Sequence, residues 1–272
     1  QPMPTLLPDC GIALLCDRPH EPDELRVQFD VGPLGMNGIA GHGHADALSL
    51  TLSVAGQPVL VDAGTYCYNT EPVWRRHFRS TRAHNTLQID GQDQAAYGGA
   101  FLWLTDVSCT VEAHSDVEGQ ALVQACHDGY ARLDDPVRHH RRVVLDRGAR
   151  RVEVHDWIDS MEAHRASWHW QLPACAEVTP CAVGAAGVDH VGGLRWTVRA
   201  GAVVLDIQLD WPDDVRFDAS CAAGVESPPT GWVSESFYRR RPAPVLIVEC
   251  VLPPGRQVKT SFEVRRAGNP TQ

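Results

Sequence analysis

The stretch "GHGHADALSL" at 41–50 sets His42 and His44 each behind a single glycine, with Asp46 just ahead of an apolar run. Packing alone does not call for two histidines at the mouth of a strand. Two further polar residues are anomalous in strand-like surroundings. Asp62 ends "VLVD" and His84 opens "HNTLQIDG". Two imidazoles and one carboxylate form a zinc-type donor set when a fourth position stays open for water or substrate. The same donors suit manganese or iron. Asp46 competes with Asp62, either as the ligating carboxylate or as an acceptor that orients His44. The plain alternative is a hydrogen-bonded cluster of strand-end histidines.

These residues need a scaffold, and the scaffold reads as β. "LRVQFDVG" (25–32) and "ALSLTLSV" (47–54) alternate apolar and polar residues, and "PVLVDAG" follows the turn "AGQ". The last two form a hairpin. With Val54 opposite Val59, Asp62 would face Thr51, so His44 reaches it only if 41–47 curls over the sheet. Gly41 and Gly43 would allow that curl through positive φ. Strand-like segments continue through "VRHHRRVVLDRGARRVEVHDWI", a hairpin around "DRGAR", to "APVLIVECVLPP". Only "EPVWRRHF" (71–78) suggests a helix, with Pro72 in its first turn. A dozen or more strands without crossover helices predict an all-β fold, a large antiparallel two-sheet β-sandwich spanning 1–272 as one domain.

Composition narrows the function classes. The chain has 272 residues and a net charge of −10, which argues against non-specific nucleic-acid binding. No segment approaches the run of about 20 apolar residues that spans a membrane, and "QPMPTLLPDC" lacks a signal-peptide pattern. The nine cysteines show no CxxC pair and read mostly as buried thiols. The basic clusters "WRRHFRSTR" (74–82), "RHHRR" (138–142) and "YRRR" (238–241) stand out against the acidic background. The first could draw an anion to a cleft. The second reads as a solvated strand edge.

"GHGHADALSLTLSVAGQPVLVDAGTYCYN" followed by "FRSTRAHNTLQIDGQDQA" resembles the C-terminal β domain of the heparinase II/III-like polysaccharide lyases. The likeness is clearest over 28–98 and continues more weakly through "WHWQLP" and "GWVSESFYRRRPAPVL". It implies one divalent ion, zinc in type, on His44, Asp62 and His84, and a catalytic role for His42. It also implies a periplasmic or secreted setting and an N-terminal (α/α) toroid as the domain's partner, with an anionic polysaccharide in the cleft between them. Nothing in these residues resembles a toroid, so the chain reads as the C-terminal portion of a longer enzyme or as a truncated relative.

The implied reaction is β-elimination on a uronic-acid-containing polysaccharide of heparan sulfate or alginate type. His42 suits proton transfer, its ordinary pKa lying near 6.5. Tyr66, Tyr68 and Tyr238 could supply a phenol, with Tyr66 and Tyr238 the chosen candidates. Arg79 and Arg82 could meet a substrate carboxylate or sulfate, and Asn85 stands beside His84 as a further substrate contact. A non-catalytic carbohydrate-binding or docking module with a structural metal is the main alternative. A metal-dependent hydrolase is a third reading, weakened by the lack of a general-base glutamate near the ligands.

Overall fold

The computed structural model describes residues 6–36, 38–180 and 193–266. Eight strands form the largest sheet, in the order Glu177–Pro180, Leu194–Ala200, Val203–Asp210, Val258–Arg266, Arg151–Asp159, Val137–Asp146, Gln120–Tyr130 and Cys109–Val117. The opposing layer comes in two pieces. One is a five-stranded sheet containing Leu25–Asp30, Leu50–Val54 and Gln57–Leu60. The other is a four-stranded sheet of Phe217–Ala222, Val245–Leu252, His164–Gln171 and Leu87–Ile89. The two pieces adjoin where the Val61 amide donates to the Gln171 carbonyl at 3.0 Å. Neighbouring strands run antiparallel in all three sheets, and one apolar core lies between the layers. The expected all-β sandwich is the architecture observed.

Period-two alternation explains which face of each strand is buried. Leu25, Val27 and Phe29 point into the core, as do Val152, Val154 and Ile158 from the facing sheet. Each such side chain contributes about 1.5–3 kcal/mol on burial. Trp168 and Trp170 fill the core beneath the four-stranded piece, the latter edge-on to Phe262 at 5.0 Å.

Several local expectations need correction. Val54 pairs with Gln57 rather than Val59, because Ala55 and Gly56 make a two-residue turn, and a bulge follows between Leu52 and Ser53. The strand expected at 47–54 begins only at Leu50, the one at 58–62 is Gln57–Leu60, and the one beginning at His84 is Leu87–Ile89. His44, Asp62 and His84 therefore all sit on irregular backbone beyond strand ends. The basic run 138–142 is not a solvated edge either. His139 and Arg141 are fully buried. Arg141 makes paired bonds to Asp156, at 2.7 and 3.0 Å, while His139 and Trp168 also bond that carboxylate. A buried carboxylate with this many donors is held well below the ordinary range, their charge and bonds outweighing burial. The eight cysteines among the described residues form no disulfide with one another, and Cys181 lies outside those residues.

The expected helix forms at Pro72–Arg79, with proline in its first turn and Arg76, His77 and Arg79 in its last. Trp74 and Phe78 pack with Tyr66 and Trp232 in a small second core. Arg75 and Arg79 point the other way and are also fully buried.

Candidate metal centre and aromatic rim

Three segments deliver the site: the loop 41–48, the chain leaving Gln57–Leu60, and the residues after the helix. The loop is held by its main chain. The Gly43 carbonyl accepts from Arg79 Nε at 3.1 Å and from Trp103 Nε1 at 2.9 Å. A Cβ on Gly43 would stand 1.7 Å from the Leu34 carbonyl oxygen, so only glycine fits. Close approach, not positive φ, is the reason; the left-handed residues flanking the motif are Ala40 and Leu48. Gln94 clamps Ala47 through both its N–H and its C=O, and Arg141 reaches the carbonyls of Leu48 and Asn85.

His84 is fully buried, and both of its ring nitrogens have neighbours. Nε2 lies 3.2 Å from the Phe78 carbonyl, which can only accept, so this nitrogen carries the proton. Nδ1 then faces Asp62 Oδ2 at 2.7 Å. A neutral ring would set lone pair against lone pair there. The position calls for a proton or a metal cation. As a proton it makes an imidazolium whose pKa rises to about 9, since Asp62 outweighs the cost of burial. Burial works against the Asp62 charge too, but His84 holds that carboxyl down at about 2. The other Asp62 oxygen accepts from the Gly64 amide at 2.8 Å, which turns Oδ2 toward the ring. Asp62 sits at the mouth, its side chain 44% exposed.

The His44 ring lies 5.2 Å from the His84 ring, and donor atoms of His44, Asp46 and His84 fall within 4.8 Å of one another. Burial, reinforced by the His84 charge, pushes His44 down to about 3, so its imidazole is neutral, as a ligand must be. Burial raises Asp46 to about 7. The residues present fit a divalent ion: two imidazoles, one with its tautomer set by a backbone carbonyl, and the Asp46 carboxylate bring donor atoms within 4.8 Å of one another. The structure thus groups His44 and His84 with Asp46, the competing carboxylate, while Asp62 meets His84 alone, at 2.7 Å.

The remaining predicted residues divide. His42 is exposed, its ring edge-on to Tyr68 at 5.4 Å and to Phe101 at 5.8 Å. Tyr68 continues to Phe237 at 5.0 Å, and Phe237 to Tyr238 at 6.3 Å. Tyr238 is 58% exposed and lines a groove of about 680 Å³ with Glu235 and Arg239–Arg241. Tyr66 is not poised as a base. It is buried, donates its hydroxyl to Glu71 and accepts from Arg240; the Glu71 bond, with burial, pushes its phenol up. Asn85 is not a substrate contact. It is fully buried, its amide donating to the Leu50 and Val61 carbonyls and accepting from the Gln171 amide. Arg79 is likewise internal, bracing Gly43 and Gly99. Arg82 is half-buried and donates to Thr230. Sequence reasoning missed Phe101 and Phe237 as rim residues; "SFYRRR" placed Phe237 beside Tyr238, but strand spacing does not tell an exposed loop aromatic from a core one.

A β-sandwich of this size, with a His/His/carboxylate cluster at the strand ends of its split layer, defines a class, and the comparisons say which. The chain matches the family model "Heparinase II/III-like, C-terminal" over residues 1–259, and it belongs to that family. Among solved structures it is similar to the heparan sulfate lyase HepC from Pedobacter heparinus, at 16% identity and a TM-score of 0.72, covering 97% of this chain and 36% of that one. It is also similar to a heparinase III, at 13% identity and a TM-score of 0.71, covering 96% of this chain and 36% of that one. The chain thus spans about a third of the length of these proteins. No curated protein matches.

Proposed function

We propose that this chain is the metal-braced β-sandwich of a polysaccharide lyase that cleaves a uronic-acid-containing polysaccharide, of heparan sulfate or alginate type, by β-elimination. The observation that carries the reading is the exposed His42, set in an aromatic rim next to the part-buried His44, the Asp62 carboxylate at the mouth and the buried His84. A zinc-type ion on those three residues would organise the loop and carry no part of the reaction. In the elimination the C5–H and C4–O bonds break, a C4–C5 double bond forms, and the departing glycosidic oxygen takes a proton. His42 exchanges a proton with, or orients, the sugar at that point. Tyr68, Phe101 and Phe237 offer faces for sugar rings, and the Tyr238 groove with its arginines suits an anionic chain. The opposite wall would come from an N-terminal (α/α) toroid in a longer protein, because elimination needs base, acid and carboxylate neutraliser on one sugar. Misplacement by about 1 Å costs on the order of 100-fold in rate.

The exposed aromatic row also supports a second reading, a carbohydrate-binding module without catalysis. One assay separates the two. The 272-residue chain, alone and joined to a toroid, is offered heparan sulfate and alginate, and the ultraviolet-absorbing unsaturated product is followed. We expect binding with little turnover alone, turnover in the joined protein, and loss of turnover with metal retained in His42→Ala. Binding without product in every form would leave the module; a saturated reducing end would mean a hydrolase.

A further inference from the structure

A second donor cluster lies on the outward face of the eight-stranded sheet, the face opposite Arg141 and the core. Cys126 on Gln120–Tyr130 stands directly across from His140 on Val137–Asp146, so the two side chains share that face. Glu112 joins them through a bulge. Gln124 pairs with Ala113 and Ala125 with Val111, which leaves Glu112 as the extra residue on its strand. A bulge re-aims a side chain, and bulges cluster at functional positions. Here donor atoms of Glu112, Cys126 and His140 all come within 4.8 Å of one another.

We propose that Glu112, Cys126 and His140 form a second divalent-metal site, of the zinc or cobalt class, separate from the His44 centre. Outer contacts already aim two of the donors. Gln124 donates to Glu112 Oε2 at 2.8 Å and is itself held by Arg142 at 2.8 Å. Asp159 lies 3.0 Å from His140 Nε2, and the ring stacks on Trp157 at 5.2 Å and 10°. A carboxylate on Nε2 places the proton there and leaves Nδ1 as the donor, 3.0 Å from Glu112. His164 is an internal comparison. It too lies between two carboxylates, Asp90 and Asp135, where a simple imidazolium satisfies both. What distinguishes His140 is the thiol. Cys126 is 4% exposed, and its Sγ faces the donor atoms of both Glu112 and His140. On binding, the S–H bond breaks, a metal–sulfur bond forms and the proton leaves to solvent. Sulfur, imidazole and carboxylate together select zinc-like ions over magnesium or calcium. Glu112 keeps 27% of its side chain exposed, which gives the ion a way in.

The test uses the sulfur, which the His44 centre lacks. The 272-residue protein, stripped by a chelator, is titrated with Co²⁺. We expect a thiolate-to-cobalt charge-transfer band in the near ultraviolet that saturates by the second equivalent, the other ion going to the His44 centre, and is lost in Cys126→Ser. Glu112→Gln, at a partly exposed position that leaves the fold intact, should weaken the titration at least about 10-fold. Absence of the band in the unaltered protein would overturn the proposal. So would a band that persists in Cys126→Ser, or an unchanged affinity in Glu112→Gln.

Discussion

Asp62 and His84 meet at 2.7 Å, Oδ2 to Nδ1, with the far side of the ring already committed to the Phe78 carbonyl. That pairing holds a proton between ring and carboxylate, and His44 and Asp46 bring further donor atoms within 4.8 Å of His84.

The first prediction concerns the ligands. Asp62→Ala and His84→Ala should each abolish binding of one zinc ion and lower Tm, while His42→Ala keeps both. At ion concentrations about 1,000 times Kd the bound ion contributes about 4 kcal/mol, so chelation should lower Tm by a matching amount. Metal analysis with thermal melts reads both effects. Loss of the ion on Asp46→Ala but not on Asp62→Ala would reassign the carboxylate.

Gly43→Ala tests the loop. Its Cβ would collide with the Leu34 carbonyl, a backbone atom that cannot swing aside. We expect destabilisation of about 1–3 kcal/mol by denaturant unfolding, with weaker metal binding at His44. An unchanged midpoint would show that the loop does not sit against Leu34 in solution.

Asp156→Asn tests the core network. It leaves Arg141 buried without its counter-charge and should cost about 3–5 kcal/mol. The sign with pH follows from the depressed carboxyl. Its stabilisation is present above the unfolded value of about 3.9 and is lost as pH falls through the folded value. The variant should therefore lose less stability than the parent on acidification, as chemical denaturation at stepped pH would reveal.

His164 predicts the opposite slope. Burial disfavours its charge, but the bonds to Asp90 and Asp135 outweigh that cost and hold its pKa up. Its contribution is complete below the unfolded value of about 6.5 and disappears as pH rises through the folded value. His164→Gln should flatten the stability profile from near-neutral pH upward. A profile identical to the parent's would remove the imidazolium from the account.

The sequence by itself determined the fold class. Alternation in Leu25–Asp30 and Arg151–Asp159 is a local property, and it names both the element and its buried face. The helix at Pro72–Arg79 was legible for the same reason, through its proline. His44, Asp62 and His84 were visible as polar residues beside apolar runs. Tertiary structure alone decided the remainder, because burial and partnership depend on what arrives from far along the chain. Asn85 and Tyr66 look chemically capable in the sequence, yet Gln171 and Arg240 occupy their polar groups from 86 and 174 residues away. The basic run at 138–142 looks like a solvated edge until Asp156 and Trp168 enclose its inner side. His42 becomes a rim residue only when Phe101 folds over beside Tyr68, a proximity that no local pattern encodes.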